Sequence, residues 1–148
     1  MPNQGKTRRI LAAAAIAGTL DIAAAMILTL VAGGTVANLL RSVASGPLPD
    51  AKHWGAGGAA LGLAVHFALI AVMAAIFVLA ADRIAALKRK PLLWGALYGL
   101  GIWIVMYFLV LPARFGAPLP HDAVQIAVQF FCHVALVGVP IALVARRA

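Results

Sequence analysis

Six side chains could do chemistry in stretches of this sequence that are otherwise apolar: Asp21, His66, Gln125, Gln129, Cys132 and His133. An acid at the centre of a membrane-spanning helix costs about 2.5 to 3.5 kcal/mol on insertion scales, so it normally faces the interior of a bundle and has a partner or a task there. Gln125, Gln129 and His133 recur every four residues, which draws one polar stripe down a helix with Cys132 beside it. An aspartate and a histidine in one sheltered site hold a proton between them, as a neutral pair or as an ion pair. Imidazole is the group that exchanges a proton near neutral pH. Such a pair supports proton-linked transport or pH sensing. The plainer alternative is that Asp21, bonded to His133 or to a backbone carbonyl, only sets the register of the helices.

Composition determines which elements must position these groups. The chain has 148 residues, 64% hydrophobic and 11% charged, and its only acids are Asp21, Asp50, Asp82 and Asp122. A soluble domain carries roughly 25% charged residues, so a water-soluble globule is excluded. A hydrocarbon core about 30 Å thick needs roughly 20 apolar residues of helix. Four such windows are present, at residues 10–32, 58–81, 92–112 and 123–145. Continuous Ala- and Leu-rich runs without alternation do not read as barrel strands. The expected fold is an all-α bundle of four transmembrane helices, one integral membrane domain over residues 1–148. Counted from the inner span ends at 1.5 Å per residue, Asp21 lies about 16 Å deep, His133 about 18 Å, and His66 about a turn further out. This predicts two layers, Asp21 with His133 and His66 with Gln129.

The net charge of +8 is distributed like that of a membrane protein and not like that of a nucleic-acid binder. Lys6, Arg8, Arg9, Arg83, Lys88, Arg89, Lys90, Arg146 and Arg147 fall on one side of the expected bundle, and only Arg41, Lys52 and Arg114 on the other. The positive-inside rule places both termini in the cytoplasm, and Trp54 and Trp94 fall where interfacial anchors are expected. The partner is the lipid bilayer, with a homo-oligomer or another membrane protein as a further option; no nucleic acid is expected. The first apolar run is longer than a signal-peptide core and carries Asp21, so a retained helix is expected. Cys132 is the only cysteine, which excludes an internal disulfide and the two-cysteine metal motifs.

The first loop is the longest, and Val36, Leu39, Leu40 and Val43 at helical spacing predict either a short interfacial helix within residues 35–45 or an extension of span one. Helices in lipid associate through small residues. Candidate packing faces are Ala14, Gly18, Asp21 and Ala25 on span one, Gly58, Gly62 and His66 on span two, and Gly95 with Gly99 on span three. Small-residue faces could equally bind a partner, making the chain a structural or accessory membrane subunit. An enzyme is not expected, because no nucleophile, base and acid constellation and no phosphate-cradling glycine loop is present. No cofactor or metal is expected either. One competing arrangement is a bis-His haem b held by His66 and His133 for electron transfer, with only Arg41, Lys52 or Arg114 to meet its propionates.

The stretch from His66 to Val72 echoes that from His133 to Val139, with four of seven positions matched, and Gly18 and Leu20 align with Gly95 and Leu97. This suggests two duplicated helix pairs, a parallel repeat with any site between the halves. Near full length, the chain also resembles small four-span bacterial inner-membrane proteins of the YagU type. The stretches that carry the likeness are Ala17-Gly18-Thr19-Leu20-Asp21, Ser42-Val43-Ala44-Ser45-Gly46, His66-Phe67 with Ala80-Ala81, Tyr98-Gly99, Val105-Met106, and His133 with Val137-Gly138-Val139-Pro140-Ile141-Ala142 and Arg146-Arg147. The resemblance implies the same threading, a location in the bacterial inner (cytoplasmic) membrane, and a shared pattern that includes Asp21, His66 and His133. It brings no established reaction. Tyr107 stands where the family pattern has Asn, and Ala113-Arg114 where it has Leu-Ser.

Overall fold

The computed structural model describes residues 2–147, with side chains from residue 5. Its elements are α1 (Pro2–Val31), α2 (Val36–Ala44), a 3-10 turn (Pro49–His53), α3 (Gly55–Arg83), α4 (Ala85–Arg89), α5 (Pro91–Phe115) and α6 (Ala123–Ala145). No strand occurs among the described residues. Helices α1, α3, α5 and α6 are each long and apolar enough to cross a membrane, and a backbone in lipid must satisfy its own hydrogen bonds, which a helix does. The protein is an all-α, four-helix integral membrane protein. Gly33 (φ 78°) ends α1 and Gly116 (φ 61°) ends α5, both in the left-handed conformation that glycine adopts without strain. Asp122 caps α6 by accepting a hydrogen bond from the Gln125 amide at 2.7 Å, and Thr35 caps α2 from Asn38 at 3.2 Å.

Two of the long helices are not uniformly α. Residues Val105–Val110 in α5 and Cys132–Gly138 in α6 form π turns, and each segment is followed within two residues by a proline, Pro112 or Pro140. A proline inside a helix has no amide to donate, and its ring crowds the carbonyl four residues back, here Phe108 and Leu136. Widening the preceding turn relieves both problems. The π turns carry Tyr107 and His133 and rotate the side chains beyond them relative to an unbroken helix.

Packing runs through glycine. A β-carbon on Gly95 would lie 2.9 Å from the Gly138 carbonyl and from Val139, one on Gly99 would collide with the His133 carbonyl, and one on Gly138 with the backbone of Gly95 and Gly99. α5 and α6 therefore touch backbone to backbone. Gly58 and Gly62, expected on a span-to-span face, instead receive the first loop: their faces are closed by the carbonyls of Ala51 and Leu40, so α2 lies directly on α3. In α1, Gly18 leaves room for the ring of Phe67. The half of the bundle nearest the termini is filled by Ala13, Ala17, Ala74, Val78, Ile141 and Ala142, none of which retains any exposure.

Charged side chains fasten both ends, by ion pairs at one and by hydrogen bonds to carbonyls at the other. Near the termini, Arg9 holds both carboxylate oxygens of Asp82 at 2.9 and 2.8 Å and donates to the Ala145 carbonyl at 3.1 Å, while Lys88 donates to Asp82 at 2.8 Å. A cation at the last carbonyls of α6 also suits the negative end of its dipole. This joins α1, α3, α4 and α6 on one face, as the charge distribution requires. At the opposite face Arg114 donates to the carbonyls of Gly46 at 2.6 Å and Ser45 at 2.8 Å, tying α5 to the end of α2.

Asp82→Asn leaves Arg9 and Lys88 without a counter-charge in a site where Asp82 is only 15% exposed. A loss of about 2 kcal/mol is expected, read as a lowered thermal midpoint in detergent. Gly99→Val should cost at least as much by forcing α5 off α6, with helix content retained and melting cooperativity reduced.

Candidate functional site

Gly18, Asp21 and His66 meet where α1 crosses α3. The His66 Nε2 lies 2.9 Å from the Gly18 carbonyl, and its Nδ1 lies 4.0 Å from Asp21 Oδ2. A carbonyl can only accept, so Nε2 carries a hydrogen and donates it. In neutral His66 the lone pair of Nδ1 then faces a carboxylate. Two acceptors face each other unless a proton resides on one of them, either as imidazolium beside carboxylate or as imidazole beside carboxylic acid. His66 is buried and Asp21 is 21% exposed. The 4.0 Å separation exceeds a direct hydrogen bond and is one that a water or a small ring movement closes.

These groups open into a cavity of about 70 Å³ also lined by His133, Met106 and Val137, room enough for water. His133 donates from Nδ1 to the Gln129 carbonyl at 2.9 Å, leaving Nε2 as its second proton site. Its ring stands 5.7 Å from that of Tyr107, edge to face. On the other side of Tyr107 a second cavity of about 150 Å³, on the face away from the termini, is lined by Trp103, Tyr107, His121, Gln125 and Gln129. The indole nitrogen of Trp103 is buried and, among the described residues, has no hydrogen-bond partner. Polar groups thus run from that face to the middle of the bundle and stop at the packed alanine core.

The structure brings Asp21, His66 and His133 together but changes their pairing. The expected partner of Asp21 was His133, and that of His66 was Gln129. Instead Asp21 faces His66, and among the described residues His133 makes no ion pair. Counting depth from the inner span ends put His66 about a turn outside the layer of Asp21 and His133, whereas it stands in that layer beside Asp21. Counted from the opposite face, Asp21, His66 and His133 each lie about ten residues into their helices and share one layer. Gln125 is exposed and Gln129 half-buried, and both belong to the outer cavity. Cys132 is buried and free.

Sequence reasoning missed Tyr107 and Trp103 as site residues, and Gly138 as the partner of Gly95 and Gly99. Pro112 and Pro140 inside apolar runs were the available signal for the π turns that carry Tyr107 and His133. The echoed motifs do share a packing relation: Gly18 faces Phe67, and Gly99 faces His133 and Val134. That places the second contact one turn beyond the Gly95 alignment. A porphyrin does not fit between the two imidazoles. Their shared cavity is far below the roughly 300 Å³ at which pockets for drug-sized ligands begin, and the Nε2 of His66 is engaged by Gly18.

One-sided access has a direct readout. In a Cys132→Ala background, Gln125→Cys should react with a membrane-impermeant maleimide added from the face opposite the termini, and Ile141→Cys, in the sealed core, should react from neither side. Labelling of Ile141→Cys would show that the alanine half is not closed. The chain matches no protein-family model, and no curated protein and no solved structure is significantly similar to it.

Proposed function

We propose that this integral membrane protein handles protons: Asp21 and His66 bind and release one, with His133 and Tyr107 relaying it from the outer cavity, in proton-linked transport or pH sensing. One observation carries this reading, the Nδ1 of His66 held toward a carboxylate by the Gly18 carbonyl. Buried ionisable groups in a bundle are commonly functional, and π turns concentrate at working sites. With the positive-inside rule and the YagU-type resemblance, the chain lies in a bacterial inner membrane with both termini cytoplasmic, and the proton site is reached from the periplasmic face. The rival reading of an accessory subunit uses small-residue faces to dock a partner. Gly58, Gly62, Gly95 and Gly99 are already filled within the chain, so a partner or a second copy would have to dock elsewhere.

The test combines spectroscopy and flux. Infrared difference spectra between acid and alkaline pH should contain a buried carboxylic-acid band that disappears in Asp21→Asn, and whose midpoint moves in His66→Gln. In proteoliposomes, Asp21→Asn should abolish any pH-driven flux. An unchanged midpoint in His66→Gln, together with unchanged flux in Asp21→Asn, would reject the proposal.

A further inference from the structure

Between α2, α3 and α5, on the face opposite the termini, runs a groove of about 500 Å³ whose walls include Leu39, Val43, Val65 and Val110. Its deep end is closed by Leu69 and Met106, the same side chains that back the Asp21 cavity. Its mouth is framed by Arg114 and Phe115, and those two residues also line an adjoining basic pocket of about 230 Å³ with Ser45 and Lys52. Two guanidinium nitrogens of Arg114 hold the carbonyls of Gly46 and Ser45, and among the described residues Nη1 makes no hydrogen bond. Lys52 is exposed and, among the described residues, without a partner. No acid lines either space.

We infer that the two spaces form one site for a phospholipid of the leaflet opposite the termini. An acyl chain lies in the groove and the phosphate rests on Lys52 and the free nitrogen of Arg114. Charge and polarity divide as the ligand does. The apolar part runs alongside spanning helices, where a water-soluble ligand would have to cross lipid to enter, while the cationic part sits at their ends. Arg114 to Met106 spans about 12 Å of helix, a depth an acyl segment can follow. A basic side chain near an anionic lipid contributes about 1 kcal/mol, about five-fold in affinity.

The test uses the delipidated full chain in detergent and dioleoyl phosphatidylglycerol, with adducts counted by native mass spectrometry. One lipid per chain should be retained through dissociation conditions that strip dioleoylglycerol, which has the same chains and no phosphate. Lys52→Gln should weaken retention about five-fold, and Val110→Trp, which fills the groove, should remove it, both variants keeping the parental melting midpoint. Equal retention of dioleoylglycerol would overturn the phosphate contact. Undiminished retention by Val110→Trp would overturn the groove, and undiminished retention by Lys52→Gln the cationic pocket. If Val110→Trp proves unstable, Val65→Phe serves the same purpose.

Discussion

The hydrogen bond from His66 to the Gly18 carbonyl determines what the centre of this protein can do. It spends the one ring nitrogen that must carry hydrogen and turns the other toward Asp21. It also needs α1 and α3 to be close, which a bare glycine at residue 18 permits by giving its space to Phe67. A larger side chain there would part the helices, leave the imidazole free to rotate and remove the reason for a proton to lie between it and the acid. Backbone shape, ring tautomer and the facing of imidazole and carboxylate therefore form one chain of cause.

The two prolines act on the same site from the opposite side. Pro112 and Pro140 lie outside the polar layer, but the widened turns they impose contain Tyr107 and His133. In an unbroken α-helix Gln125, Gln129 and His133 would form a straight stripe. In the actual chain the two glutamines belong to the outer cavity and His133 to the inner one, with Tyr107 against His133 between them. A helix that is locally underwound is also easier to rewind, so the partition between the cavities lies on the least regular parts of α5 and α6.

Much of this was legible in the sequence because membrane physics leaves few options. Length and apolarity of the windows predicted the four spanning helices, the spacing of Leu39 and Leu40 predicted α2, and the positions of nine cations predicted that the ends near Arg9, Arg83, Lys90 and Arg146 share a face. The composition of the polar layer was also legible, since acids and imidazoles in such windows are rare. Its pairing was not, because residue counts fix depth only to about a turn, which put His66 too far out, and do not say which neighbour a side chain faces. The Arg9–Asp82 clasp was hidden for a different reason: both residues lie at span ends, where charges are ordinary, and nothing local in the sequence links positions so far apart.

That clasp has a consequence for how the molecule is made. Arg9 belongs to α1, yet its side chain reaches Asp82 at the end of α3 and the carbonyl of Ala145 at the end of α6. Until residue 145 has been made, the guanidinium has its carboxylate but not the carbonyl of α6. Insertion and final closure are thus separate events. A chain stopped before α6 would keep α1 and α3 packed on each other but leave α5 without the helix against which its glycines lie.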